Sequence, residues 1–172
     1  MTYARRYAMR VAALVVLGLA MAGAALAGAA TPKRGGHYSG TGTQAFNNTA
    51  SGRFANQGFR PRARISFGVS PDGRRVVNFR GTFFYYCGAG TSAIKANFLD
   101  VRPDGSFRFT FSSPARGPHG KVDGTVAVAI GGRFTGSGRA ARVTYRVQTR
   151  FSALPSSQRP CATQVSGIVR AR

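Results

Sequence analysis

The chain has no tryptophan and no glutamate, and four aspartates supply all of its side-chain carboxylates, with two histidines and two cysteines. After residue 30 it has no long apolar run and no stretch with a helical period. Each shortage removes a class of chemistry. A carboxylate-pair glycosidase needs two carboxyls at a set separation in one pocket. Here Asp72 and Asp104 stand in Pro-Asp-Gly turns, Asp123 precedes Gly124 in a further turn signal, and Asp100 alternates to the outside of a strand. A zinc centre needs three or four suitably spaced ligands, but His37 and His119 are isolated, each beside glycine or proline. Serine is plentiful, yet no G-x-S-x-G elbow occurs. The lack of tryptophan weakens a carbohydrate-binding reading. The chain therefore reads as a non-enzyme without metal or cofactor. The alternative is a small secreted hydrolase or transferase with a site built from loops.

What the chain has in excess is positive charge. Its 172 residues carry a formal net charge of +21, and arginine outnumbers lysine 22 to 3. Arg5, Arg6 and Arg10 precede an apolar run over residues 11–22, and small residues follow, with Ala25-Leu26-Ala27 fitting the A-x-A rule for an export signal over residues 1–27. Cleavage two or three residues later fits nearly as well. The alternative, a retained anchor over residues 11–30, has about the length of a short span, but its richness in Ala and Gly favours cleavage. The mature chain is then secreted or extracytoplasmic, with no membrane span. Without the three signal arginines, 22 basic residues face 4 acids, a net of +18. Two explanations of this excess stand side by side: attraction to polyanions, and codon usage in a GC-rich genome, which raises Arg, Ala and Gly together.

Cys87 and Cys161 remain after export, and in an oxidising compartment an even pair reads most simply as one disulfide. Residues 28–36 read as a disordered linker and residues 37–172 as one domain. The densest β signal is residues 74–87, RRVVNFRGTFFYYC, where Val77, Phe79, Phe83, Tyr85 and Cys87 share one face under period two. Before it, Ala63, Ile65, Phe67 and Val69 alternate with polar residues up to Pro71-Asp72-Gly73. A three-residue loop there sets Ser70 opposite Arg74, Phe67 opposite Val77 and Ile65 opposite Phe79. A second Pro-Asp-Gly, residues 103–105, pairs Val101 with Phe107 and Leu99 with Phe109. Gly73 and Gly105 are expected at positive φ. Further strands alternate over residues 121–130, 142–148 and 161–172, with Gly131-Gly132 suited to a turn; residues 38–44 read as a short edge strand and residues 45–61 and 153–160 as loops. Many short strands with Gly/Pro turns predict an all-β domain, a single antiparallel β-sandwich or partly closed barrel of about eight strands.

The first hairpin's expected register puts Arg64 opposite Arg80 on the outward face, with Arg62 one step along. Like charges placed directly opposite are unfavourable. Either they splay into water or they hold an anion, so Arg62, Arg64 and Arg80 are the candidate anion-binding residues. An anionic cell-envelope polymer is the partner this favours. Nucleic acid is the weaker choice, because Phe107-Arg108-Phe109 is ordinary strand alternation.

The YSG start, ISFGVSPDGRRVVNFR with a cysteine soon after, IGGRFTGSGRA, and the closing C-x-x-x-x-S-G-x-V-x-A-R resemble a family of small exported all-β proteins from high-GC Gram-positive bacteria, over residues 36–172. The chain departs from that pattern at Val169, where members often carry tryptophan, and at Ala141-Arg142, where they tend to have glycine. The resemblance implies export, an all-β fold and a disulfide, and no activity.

Overall fold

The computed structural model describes residues 30–48, 62–85, 90–116, 121–152 and 161–172. The export signal, Cys87, His119 and the loop expected over residues 153–160 lie outside them. Within them are eight strands and no helix: β1 (His37–Asn48), β2 (Arg62–Val69), β3 (Arg75–Tyr85), β4 (Gly90–Asp100), β5 (Ser106–Arg116), β6 (Val122–Thr135), β7 (Ala140–Phe151) and β8 (Cys161–Ala171). All belong to one antiparallel sheet in the order β4-β3-β2-β1-β8-β7-β6-β5. The first four strands form one meander and the last four another. β1 and β8 join them along their length, from Tyr38↔Ala171 to Asn48↔Cys161. The sheet curls into a nearly closed barrel whose free edges, β4 and β5, meet at the single bridge Val101↔Phe107. This is the barrel and not the sandwich: the β1–β8 ladder leaves no break that would divide the strands into two sheets. β1 is accordingly a central strand of 12 residues, not a short edge strand.

The two Pro-Asp-Gly turns differ. In the second, the Arg102 N–H donates to the Ser106 carbonyl (2.8 Å) and the Gly105 N–H to that of Arg102 (2.9 Å), which is the three-residue loop expected. The Leu99–Phe109 pair does not form, because above the bridge β4 pairs with β3 and β5 with β6 while the two edges separate. In the first turn the Ser70 N–H donates to the Arg75 carbonyl (2.9 Å), so four residues are looped out and Val69 faces Val76. This extra residue would send Phe79 outward. Asn78 corrects it by adopting φ 53° in a bulge, so that Ser66 and Gly68 oppose Arg80 and Val77. Asparagine is among the few residues that tolerate this conformation. Val76, Phe79, Gly81 and Phe83 then face inward, and Val77 does not. Both turn glycines have positive φ, 76° at Gly73 and 73° at Gly105.

The interior is filled with aromatic rings towards the end that carries these turns. Phe67 stacks on Tyr38 (centroids 5.0 Å) and meets Phe107 edge-on (5.7 Å), while Phe134 packs against Tyr38 (5.4 Å) and Phe107 (5.6 Å). Small residues make room for these rings. A Cβ on Gly132 would stand 2.3 Å from the Phe107 ring, and one on Gly81 2.8 Å from that of Tyr145. Gly131-Gly132 is therefore interior strand; the turn falls at Gly136 and Gly138, both at positive φ. The buried phenols of Tyr38 and Tyr145 donate to the carbonyls of Gly138 and Thr82, and burial pushes both pKa values up, so both stay protonated donors.

Residues 30–36, expected as linker, close the turn-bearing end instead. The Gly35 N–H donates to the Ser70 carbonyl (3.3 Å), the Lys33 N–H to the Tyr38 hydroxyl (2.9 Å), and Pro32 is buried. The segment is polar in composition, but the barrel end supplies partners for its backbone.

At the opposite end, Gln44 of β1 is 2 % exposed and reaches the backbone of β3: its Nε2 donates to the Phe84 carbonyl (2.6 Å) and its Oε1 accepts from the Phe84 N–H (2.9 Å). The amide thus ties β1 to β3 across the sheet position of β2. Gln44→Leu leaves two backbone groups of Phe84 without this partner and is expected to lower unfolding free energy by about 2 kcal/mol, read by denaturant titration. Gly105→Val is expected to cost about 1 kcal/mol or more by the same measurement, because a β-branched residue resists positive φ and its Cβ would stand 2.7 Å from the Ala30 carbonyl oxygen.

Candidate functional site

The outer wall holds the predicted anion-binding residues. Arg62, Arg64 and Arg80 are all exposed on it, but the predicted opposition of Arg64 and Arg80 is overturned. The longer turn and the Asn78 bulge place Arg80 opposite Ser66, and the Arg64 N–H donates to the Thr82 hydroxyl (2.8 Å). The like-charged neighbour of Arg80 is Lys95 on β4.

Following the registers around the barrel gives three transverse rows. One runs Lys95–Arg80–Ser66–Ser39–Arg170. The next runs Arg64–Thr41–Ile168–Arg142–Arg133, and the third Arg62–Thr43–Ser166–Thr144–Gly131–Arg108. Arg80 and Arg170, and likewise Arg64 and Arg142, stand three strands apart, about 14 Å at the usual strand spacing. Sequence reasoning gave the outward parity of these residues. It did not give the rows, which depend on the β1–β8 pairing and on the bulge.

The aspartates are kept to the barrel ends. Asp72 accepts from the Ser70 hydroxyl and the Arg74 N–H (3.0 Å), and these hold its carboxyl below the ordinary range. Asp100 pairs with Arg75 (3.3 Å) and Asp104 with Arg133 (2.6 Å). Asp123 is the second residue of β6 and not in a turn, with its Oδ1 buried and unpartnered among the described residues. A cleft of about 580 Å³ lies between the two Pro-Asp-Gly turns, but Asp72 and Asp100, its two carboxylates, already have these partners. Among the described residues no three of His, Cys, Asp or Glu come together.

No protein-family model and no curated protein matches the chain.

The disulfide is not seen among the described residues, because Cys87 lies outside them. Cys161 is buried at the head of β8, and no described cysteine is a free thiol.

Inside the barrel, the aromatic filling stops short of the far end. A cavity of about 440 Å³ opens there through the seam between β4 and β5, with Phe83, Ile94, Phe111, Val128 and Val147 on its walls. It was not foreseen from the sequence. Phe111 carries the trace of it: inward by parity, it remains 38 % exposed.

The turn carboxylates make stability depend on acid. Hydrogen bonds from the Ser106 hydroxyl (2.6 Å) and N–H (3.0 Å), with Arg133 beyond them, hold the Asp104 pKa at about 2. A folded-state pKa below the unfolded value adds stability that is complete above about pH 4 and is lost as pH falls towards 2. The melting temperature is expected to drop over that window. Asp104→Asn should flatten the drop while leaving the profile above pH 5 level, as followed by thermal unfolding at constant ionic strength.

Proposed function

We propose that the protein is an exported, non-enzymatic binding barrel whose outer wall takes an anionic polymer of the cell envelope. The observation that carries this reading is the segregation of charge. All four aspartates sit at turns or strand ends, two of them paired with arginine, while arginines recur along three rows of the wall. Codon usage raises the number of arginines but does not keep the aspartates away from the middle of the wall, where Arg80 stands opposite Ser66 and Arg64 opposite Thr41. Guanidinium groups held about 14 Å apart can engage phosphates or sulfates several units apart along a flexible chain, and the planar fork of arginine suits each contact. The wall is also the inverse of a lipid-facing barrel, being basic outside and apolar inside.

The reading includes export by cleavage near residue 27 and a Cys87–Cys161 disulfide. Two features support the bond. The Thr163 hydroxyl lies 3.5 Å from the Phe84 carbonyl, so β8 and β3 approach one another at that level. In sequence Cys161 is two residues from Thr163, and Cys87 three from Phe84. An unstrained loop of this length adds roughly 4 kcal/mol. The intact protein recovered from outside the cell is expected to weigh two hydrogens less than its reduced form; two alkylatable thiols in the native protein would refute the bond.

For the polymer, the measurement is affinity for polyphosphate against salt concentration. Replacing Arg62, Arg64 and Arg80 together by serine is expected to weaken binding and to reduce the slope of log K against log salt by about 2 to 3, close to one for each lost phosphate contact. Equal affinity and slope in parent and variant would remove the wall as the site.

A further inference from the structure

We infer that the seam cavity is a second binding site, opening beside the first row of the basic wall, and that it takes one linear acyl chain ending in a carboxylate. An eight-stranded barrel has an interior just wide enough to be filled by side chains or to hold one small ligand, and this barrel does both. Phe67, Tyr38, Phe107 and Phe134 fill the closed end. Nearer the other end the described residues, Phe83, Phe111 and Phe151 among them, line a space of about 440 Å³, within the usual range of about 300–1,000 Å³ for small-molecule sites.

The shape and lining select the ligand. On β4 the lining runs from Thr91 to Lys95 and on β7 from Val147 to Phe151. Four strand rises make about 13 Å, the reach of a medium-length extended acyl chain. The walls offer Phe83, Ile94, Val128 and Val147 to the chain. Lys95 is the one charged residue in the lining among the described residues. It belongs to the seam strand and is the β4 lining residue nearest the closed end. With Arg80 directly beside it, this corner favours an anionic head over a neutral or cationic one, while the hydroxyl-bearing Ser113 and Thr149 also line the site.

A protein strand is the other occupant that an open seam invites, since among the described residues β4 and β5 do not pair with each other beyond the Val101–Phe107 bridge. Both edges resist it. β4 carries Lys95, and β5 carries Pro114, which has no N–H, followed by an irregularity at Ala115/Arg116. Lysine, proline and bulges are the devices that guard sheet edges against strand addition.

The test is displacement of a dansylated undecanoic acid from the delipidated mature protein by decanoate, decanol or decylamine. Decanoate is expected to compete best, with decylamine weaker by about tenfold or more. Lys95→Glu, an exposed change that leaves the core untouched, should weaken decanoate by about tenfold and leave decanol unchanged. Replacing Arg62 and Arg64 by serine, which weakens the wall but leaves the cavity lining intact, should leave probe affinity unchanged, and this separates the cavity from the wall. Absence of saturable probe binding would overturn the proposal. So would equal competition by the three compounds, decanoate affinity indifferent to Lys95→Glu, or displacement of the probe by an extended valine-rich peptide.

Discussion

The pairing of the first strand with the last is the interaction on which the barrel depends. Every other ladder joins strands that are neighbours in sequence and could form as a local hairpin. The β1–β8 ladder brings Tyr38 against Ala171 and turns two four-stranded meanders into one sheet. Three glycines admit it. A Cβ on Gly40 would stand 2.4 Å from the Ile168 carbonyl oxygen, and one on Gly167 2.7 Å from the Gly42 Cα. Larger residues would hold the terminal strands apart and open the sheet.

With closure assigned to the chain ends, the unpaired edges fall at β4 and β5, in the middle of the sequence. The tight second Pro-Asp-Gly turn pins them at one bridge and they separate beyond it. One end of the molecule is sealed by turns, aromatic rings and residues 30–36. Towards the other, the described residues leave a cavity at the seam, and Gln44 ties β1 to β3. A barrel of this design has two surfaces with unlike chemistry, a basic wall and an apolar seam, and the proposals assign one ligand class to each.

Electrostatics follow the same division. The aspartates serve the turns, where short hydrogen bonds hold Asp72 and Asp104 ionised and fix the reversal of the chain. They are consequently remote from the middle of the wall. Exposed ion pairs such as Arg75–Asp100 contribute little to stability, so the arrangement is better understood as keeping carboxylates out of the middle of the wall than as holding the fold together.

The sequence by itself determined the all-β class, the strand count, the positive φ of both turn glycines, and which of Ala63, Ile65, Phe67 and Val69 face the core. These are local matters, set by period-two alternation and by backbone sterics within four or five residues. It placed Arg62, Arg64 and Arg80 on the outer face for the same reason. Only the tertiary structure decided their neighbours. One additional residue in the first turn and the left-handed Asn78 moved Arg80 from Arg64 to Ser66, a shift that side-chain alternation does not register because turn and bulge cancel in parity. The assignment of Gly132 to a strand required the Phe107 ring above it, the order of residues 30–36 required the barrel end beneath them, and the choice of barrel over sandwich required the terminal strands to meet. The seam cavity lay furthest from the sequence, because a hollow is defined by the distance between elements and no residue carries a mark for the space beside it.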